Sequence, residues 1–209
     1  MRDVHERTKQ PAHRPSRRQH IVDAAVRVFG RMGLTDASMQ DVADEAGVAA
    51  TAVYYHFSGK EELFELALRR VLDQVDAVVE QARPVDQPGT SESLSKVIDA
   101  VWDWIEDSPD AAKMFQLHLA GATGGARVLR EEFEQRHVQR AFDYLEEPLP
   151  RSAKAAAARH AAQALAVRTM ISSTLFVSAL RVEGGPLATL PPRSVRKALR
   201  SLALRIVGT

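Results

Sequence analysis

The stretch SMQDVADEAGVAATAVYYHF, from Ser38 to Phe57, decides the fold. Ser38 precedes an apolar set at Met39, Val42, Ala43 and Ala46, and Asp41 stands three residues after it, so the two can cap a helix reciprocally. Gly47 stops that helix. Ala49 to Tyr55 then suits a second short helix, with Val48 and Val53 placed to pack it on the first and Ala43 small enough for a close crossing. Two short helices joined by a glycine turn have the anatomy of a helix-turn-helix. In that motif the second helix offers its first residues to the major groove while the first braces it across the DNA backbone. The run Tyr54-Tyr55-His56-Phe57 holds more aromatic surface than so small a core needs. One or two of these rings therefore face outward, where a phenol or imidazole can hydrogen-bond phosphate, and Lys60 can add a cation beside them.

Helical periodicity extends in both directions. Upstream, Ile21, Ala24, Ala25, Val28 and Phe29 predict a helix from about Ser16 or Arg17 to Gly33. Downstream, Leu63, Phe64, Ala67, Leu68, Val71, Leu72, Val75 and Val78 predict a fourth helix from Ser58 or Gly59, with Glu61 and Glu62 suited to its first turn. Residues 83–91 are a Pro- and Gly-containing break. Further helices are expected from about Ser93 to Asp107, from Pro109 through Leu119, from Val128 to Leu145, from Ser152 to Val182 and from Arg193 to Val207. No useful β-alternation appears, and the chain reads as all-α.

Composition narrows the function classes. With 45% apolar and 26% charged residues the chain has ordinary globular balance, and a net charge of +1 names no partner. The charge is uneven, however. Arg2, Arg7, Lys9, Arg14, Arg17 and Arg18 crowd the first twenty residues against Asp3 and Glu6, forming an arm that can follow a phosphate backbone or serve only as a solubilising terminus. The chain has no cysteine, no signal-peptide pattern and no apolar run near the roughly 18 residues of a membrane helix. The expectation is a cytoplasmic protein without membrane partner. The histidines are scattered, and no His-Glu-x-x-His, Walker loop, Gly-x-Ser-x-Gly or glycine fingerprint is present, so neither an enzyme nor a cofactor is expected. Glu131, Glu132, Glu134 and His137 share one-turn spacing. They read as the exposed face of a charged helix rather than a metal site.

Gly33-Leu34-Thr35, Ser38, Asp41-Val42-Ala43, Ala46-Gly47-Val48, Val53-Tyr54-Tyr55-His56-Phe57 and Lys60-Glu61-Glu62-Leu63 together resemble the TetR family of bacterial regulators, over roughly residues 17–65. The resemblance implies a homodimeric repressor with an N-terminal three-helix DNA-binding domain, a palindromic double-stranded operator, and a helical ligand-binding and dimerisation domain whose small-molecule effector releases DNA. It divides the chain into a flexible basic arm over 1–15, a helix-turn-helix domain over 16–62 whose fourth helix continues to about 82 as a connector, and an effector and dimerisation domain over 63–209. It also assigns roles. Ser38 would meet phosphate, Ala49, Ala50 and Thr51 the major groove, Tyr54 and Tyr55 flanking phosphates with His56 beside them, and Lys60 the backbone, while Arg17 and Arg18 extend the basic arm. Ala49 stands where a cap hydroxyl is common, and Ala50 where a polar or basic residue is common. The alternatives are a ligand-binding or interaction module with weak or lost DNA binding, and an activator on the same scaffold.

In the C-terminal part, Trp102, Met114, Phe115, Phe133, Met170 and Phe176 are core candidates that can also line a cavity for an apolar effector, with His118 as its polar group. Trp102 and Trp104 are two apart, so only one is expected to face the core. The resemblance places a two-fold bundle on the last two helices, with Ile171, Leu175, Leu199 and Leu202 at the interface and small residues from Ala155 to Ala166 allowing close approach. Arg196 and Arg200 are expected to face solvent.

Overall fold

The computed structural model describes residues 16–83, 91–121, 124–144, 152–182 and 186–207. Among them the chain is helical throughout: α1 (Arg17–Asp36), α2 (Met39–Ala46), α3 (Ala50–His56), α4 (Lys60–Ala82), α5 (Ser91–Asp107), α6 (Pro109–Gly121), α7 (Gly124–Tyr144), α8 (Ala153–Val182), a single 3₁₀ turn (Pro186–Thr189) and α9 (Pro192–Val207). The expected helices are all present, with ends within a few residues. The largest difference is α7, which begins at Gly124 rather than near Val128. The arm over 1–15 lies outside the described residues.

Local chemistry explains the short elements. Ser16 and Gln19 form a capping box at the start of α1, and Ser38 and Asp41 form another at α2. Gly47 closes α2 in the left-handed region at φ 63°, a conformation that glycine adopts without steric cost. Gly33, at φ 78°, interrupts helical geometry inside α1, which continues only to Asp36. Pro109 opens α6, where its missing N–H costs nothing.

One apolar core runs from the N-terminal helices into the following ones, joining Phe29, Val42, Val53 and Phe57 to Phe64, Leu68, Val71, Met114, Phe115 and Phe133. The Phe29 and Phe64 rings meet edge to face at 5.2 Å, which locks α1 to α4. α1 also packs closely on α6. At Gly30 a Cβ atom would fall 2.1 Å from the Asp110 carbonyl oxygen, so only glycine permits this approach.

Three expectations are corrected here. Both tryptophans are buried, because α5 lies between two layers and has two cores to fill. Trp104 joins the main core toward α4 and α6. Trp102 joins a second cluster with Ile98, Val195 and Leu199, against which Met170 and Val177 pack. Arg196 and Arg200 do not point freely into solvent: both guanidinium groups bind Asp99 of α5, and Arg196 also takes Asp103. Leu199 is buried inside the chain by that second cluster, so it is not available to a second copy.

Candidate nucleic-acid interface

The geometry of α2 and α3 starts from their caps. The Ser38 amide donates to Asp41 Oδ2 at 2.8 Å, and the Asp41 amide donates back to Ser38 Oγ at 3.2 Å. The Ser38 hydroxyl hydrogen bond, followed by its amide, holds the Asp41 carboxyl below the usual carboxylate range. With α2 capped in this way, Met39, Val42, Ala43 and Ala46 turn inward and Val53 buries α3 against them. The backbone link from the Val48 amide to the Ala43 carbonyl, 3.0 Å, sets the turn between the helices.

This leaves α3 with a defined outer face. Tyr55 is 85% exposed and Tyr54 59% exposed, and Thr51 and Ala49 are also exposed. His56 is half-buried, with its ring against Tyr55 at 5.1 Å, while Phe57 is buried in the core. Ala50 is half-buried and packs against the core, so its methyl leans away from that outer face. Ala49, at the N-cap of α3, has no side-chain hydrogen bond to offer. Ser38 is exposed at the base of α2, and Arg17 and Arg18 are exposed at the start of α1. The Arg18 guanidinium sits 5.0 Å from the centroid of the Phe57 ring, which ties the α1 start to the end of α3.

Lys60, expected at the DNA backbone, is turned to the protein instead. Its ammonium donates to the carbonyls of Leu34 at 3.0 Å, Thr35 at 3.2 Å and Ala37 at 3.3 Å. These are carbonyls that the end of α1 and the α1–α2 joint leave without helical partners. All three ammonium donors are taken, so Lys60 positions the joint. Sequence reading missed this because nothing in the spacing of Lys60 identifies carbonyls some 25 residues earlier as its partners.

A second feature that sequence reading missed is an ionic brace. Glu45 at the end of α2 receives Arg27 and Arg31 from α1, and Arg31 also reaches Asp110 of α6 at 3.2 Å. The hydrogen bond from Arg27, then that from Arg31, holds the Glu45 carboxyl below its ordinary range. The i,i+4 pair Arg27 and Arg31 was visible as one helical face, but its acceptors on two other helices were not.

The described residues among those expected around an effector are divided between two apolar clusters and the surface. Met114, Phe115 and Phe133 share the main core, Trp102 and Met170 belong to the second cluster, and Phe176 is 63% exposed. None of these side chains lines a pair of open grooves formed by described residues. One, of about 400 Å³, lies between Asp23, Arg27, Arg70, Gln74 and the start of α6. The other, of about 390 Å³, lies between Arg18, Glu62, Glu65, Arg69 and the start of α7. The side chains of His118, Ile171 and Leu175 lie outside the described residues.

His137, expected on an exposed charged face, is buried. Its ring stacks at 4.1 Å on Phe133, and its Nδ1 lies 3.1 Å from Asp76 Oδ1. Burial pushes the Asp76 carboxyl up, but contact with His137 and the charges of Arg140 and Arg136 outweigh it and leave the carboxyl lowered. Among the described residues, no three His, Cys, Asp or Glu side chains are placed to hold a metal ion. Among them also, no helix is long and apolar enough to cross a membrane.

Residues 21–67 match the family model of bacterial regulatory proteins, tetR family, which is the segment that folds into α1 to α3 and the first part of α4. Over that segment the chain resembles the TetR family. The chain is 28% identical over 171 residues to the HTH-type transcriptional regulator BetI 2 of Chromohalobacter salexigens, covering 81% of each protein. The match to the HTH-type transcriptional regulator BetI of Agrobacterium fabrum is shorter, 33% identical over 98 residues and 46% of each protein. Among solved structures, a transcriptional regulator from Rhodococcus sp. Rha1 superposes with a TM-score of 0.71 at 22% identity, over 92% of this chain and 97% of the other. The FadR regulator of Bacillus subtilis, solved in complex with stearoyl-CoA, superposes with a TM-score of 0.63 at 18% identity, over 88% of this chain and 96% of the other. These superpositions establish a shared all-helical fold.

Proposed function

We propose that the protein is a homodimeric repressor that holds a palindromic operator through α2 and α3 and releases it when a small apolar molecule occupies the helical part beyond α4. The observation that carries the DNA-binding half is the outward display of Ala49, Thr51, Tyr54 and Tyr55 on a helix braced by the capped α2. In this reading the exposed tyrosine hydroxyls meet phosphates, and the exposed Ser38, Arg17 and Arg18 steady the ends of the motif. Because Arg27, Arg31 and Lys60 are committed within the protein, the phosphate attraction rests on Arg17, Arg18 and the basic residues before them.

Dimerisation finds support on α8 and α9. Leu165 is 66% exposed, Phe176 and Leu202 are exposed, and so are the small residues Ala155, Ala157, Ala158, Ala161 and Ala162. A two-fold pair formed there presents two α3 helices to half-sites about 35 Å apart.

Release has a route in the contact between α6 and α1. The first turn of α6 abuts Gly30, Asp110 holds Arg31, and Arg31 holds Glu45 of α2. A displacement of α6 is therefore felt at the helix-turn-helix through packed backbone and an ionic brace. The apolar class of effector is supported by the buried Met114, Phe115 and Phe133 around α6 and α7, and by the acyl-CoA seen with the Bacillus subtilis FadR of the same fold. The test is selection of duplexes from a random pool by the folded protein at two salt concentrations. A recovered palindrome with two similar half-sites is the expected result. Failure to enrich any sequence, with a folded dimer confirmed in the same sample, overturns the reading.

A further inference from the structure

The helix-turn-helix lacks the groups that usually read purine edges. From Met32 to Gly59 there is no Lys or Arg, and the whole chain contains no Asn. The one Gln in that stretch, Gln40, has its Nε2 on Asp44 Oδ1 at 2.7 Å. The nearest cations on either side, Arg27, Arg31 and Lys60, are held by Glu45 and by backbone carbonyls. No guanidinium or carboxamide fork is therefore available on α3 for bidentate contact with guanine or adenine. What α3 does expose is the Ala49 methyl, the Thr51 methyl and hydroxyl, and the Tyr54 and Tyr55 rings.

We propose that α3 selects its half-site mainly through the C5 methyl groups of thymines, with the methyls of Ala49 and Thr51 as the specificity-determining groups. This rests on the reading of the protein as an operator-binding dimer. The thymine methyl is the one apolar feature of the major-groove edge, and small aliphatic side chains are its complement. Thr51 and Tyr55 lie four residues apart and share one side of α3, so the ring shields the Thr51 methyl contact from water on the side toward the phosphates. The Thr51 hydroxyl adds a single hydrogen bond, which discriminates less than a two-point fork. The operator is expected to carry one or two thymines in each half-site whose loss of methyl alone is felt by the protein.

The experiment takes the duplex recovered by selection and replaces each thymine in turn by deoxyuridine, which removes only the methyl group. In parallel, 7-deazaguanine and 7-deazaadenine remove the purine N7 acceptors. Deoxyuridine is expected to weaken binding about fourfold at each contacted thymine, the size set by burial of one methyl group. The 7-deazapurines are expected to change affinity less than twofold. Thr51→Ser keeps the hydroxyl and removes the methyl. It should cost about fourfold per half-site, or about sixteenfold for the dimer on the parent duplex. It should cost nothing further on a duplex with deoxyuridine at the Thr51 contact of both half-sites, a non-additivity that places the two methyls against each other. No loss at any deoxyuridine, or a tenfold loss with a 7-deazapurine, overturns the proposal while leaving operator binding intact. A protein that enriches no duplex at all overturns the operator reading and this inference with it. The substitutions on the DNA side need no variant to fold, and circular dichroism checks Thr51→Ser.

Discussion

Lys60 shows how one ammonium group can define a joint. It gathers the Leu34, Thr35 and Ala37 carbonyls at the point where α1 ends and α2 begins, at distances of 3.0, 3.2 and 3.3 Å. Lys60→Met keeps the length and apolar stem of the side chain but leaves those acceptors without their charged donor. The expected cost is about 1–3 kcal/mol in chemical denaturation. Under the proposed operator reading the salt slope of binding should stay unchanged, because the ammonium is taken up by these carbonyls. A phosphate-bound Lys60 would give the reverse pattern: unchanged stability and a slope smaller by about 0.9 per chain. The start of α3 offers the complementary case. Ala49 occupies the N-cap without a side-chain acceptor, and only the backbone link from the Ala52 amide to the Ala49 carbonyl, 2.9 Å, closes the first turn. Ala49→Ser should therefore stabilise the protein by about 1 kcal/mol. That appears as a rise in melting temperature of roughly 2–4 °C. An unchanged melting temperature would show that α3 is held by Val53 burial alone.

At the scale of helices, the decisive contact is α6 on α1. Gly30→Ala places a methyl 2.1 Å from the Asp110 carbonyl oxygen and 2.7 Å from its carbon, both backbone atoms that cannot rotate away. The two helices must part, and a loss of at least about 1–3 kcal/mol is expected in urea unfolding. A neutral result would mean that the α1–α6 contact is looser than its geometry. The ionic brace beside it is weaker and depends on pH. Glu45 titrates below its ordinary 4.5 in the folded protein because Arg27 and Arg31 hold its charged form, so its contribution is present above pH 4.5 and disappears as acidification passes the lowered value. All three side chains are partly exposed, so the contribution is under about 1 kcal/mol. Glu45→Gln should lose that amount at neutral pH and show a flatter fall in stability below pH 4.5, measured by denaturant midpoints along a pH series. These contacts also mark what the sequence could reveal. Ser38, Asp41, Gly47 and Val53 act within a few residues of themselves, so caps, turn and helix order were legible from spacing alone. The partners of Arg31, Lys60, Arg196 and Trp102 lie on helices distant in sequence, and spacing carries no record of them. The tryptophan pair was misread because a helix between two layers buries opposite sides, whereas the two-residue rule assumes a single core.

Among the described residues, large apolar side chains are exposed on both of the last two helices. Leu165 and Phe176 of α8 and Leu202 of α9 stand out from a surface where most large apolar side chains are covered, and exposed alanines run along the first half of α8. Isolated apolar residues on a surface are ordinary, but a contiguous apolar patch is costly to leave in water, and a second copy covering these side chains would remove that cost. Leu199 illustrates the division of labour on α9: it fills the chain's own second cluster while Leu202, three residues on, stays exposed. The double variant Leu165→Glu with Phe176→Glu is therefore expected to sediment as a single chain with unchanged helicity, because neither side chain supports the core. If the proposed operator reading holds, operator affinity should drop about a hundredfold or more, since each half-site is then bound without the effective concentration supplied by its twin. Leu199→Ala should behave differently, lowering stability through a cavity beside Trp102 while the protein still sediments as a dimer. A double variant that remains dimeric would move the interface away from α8. A monomeric variant with undiminished operator affinity would show instead that a single helix-turn-helix, with its arm, suffices to hold the DNA.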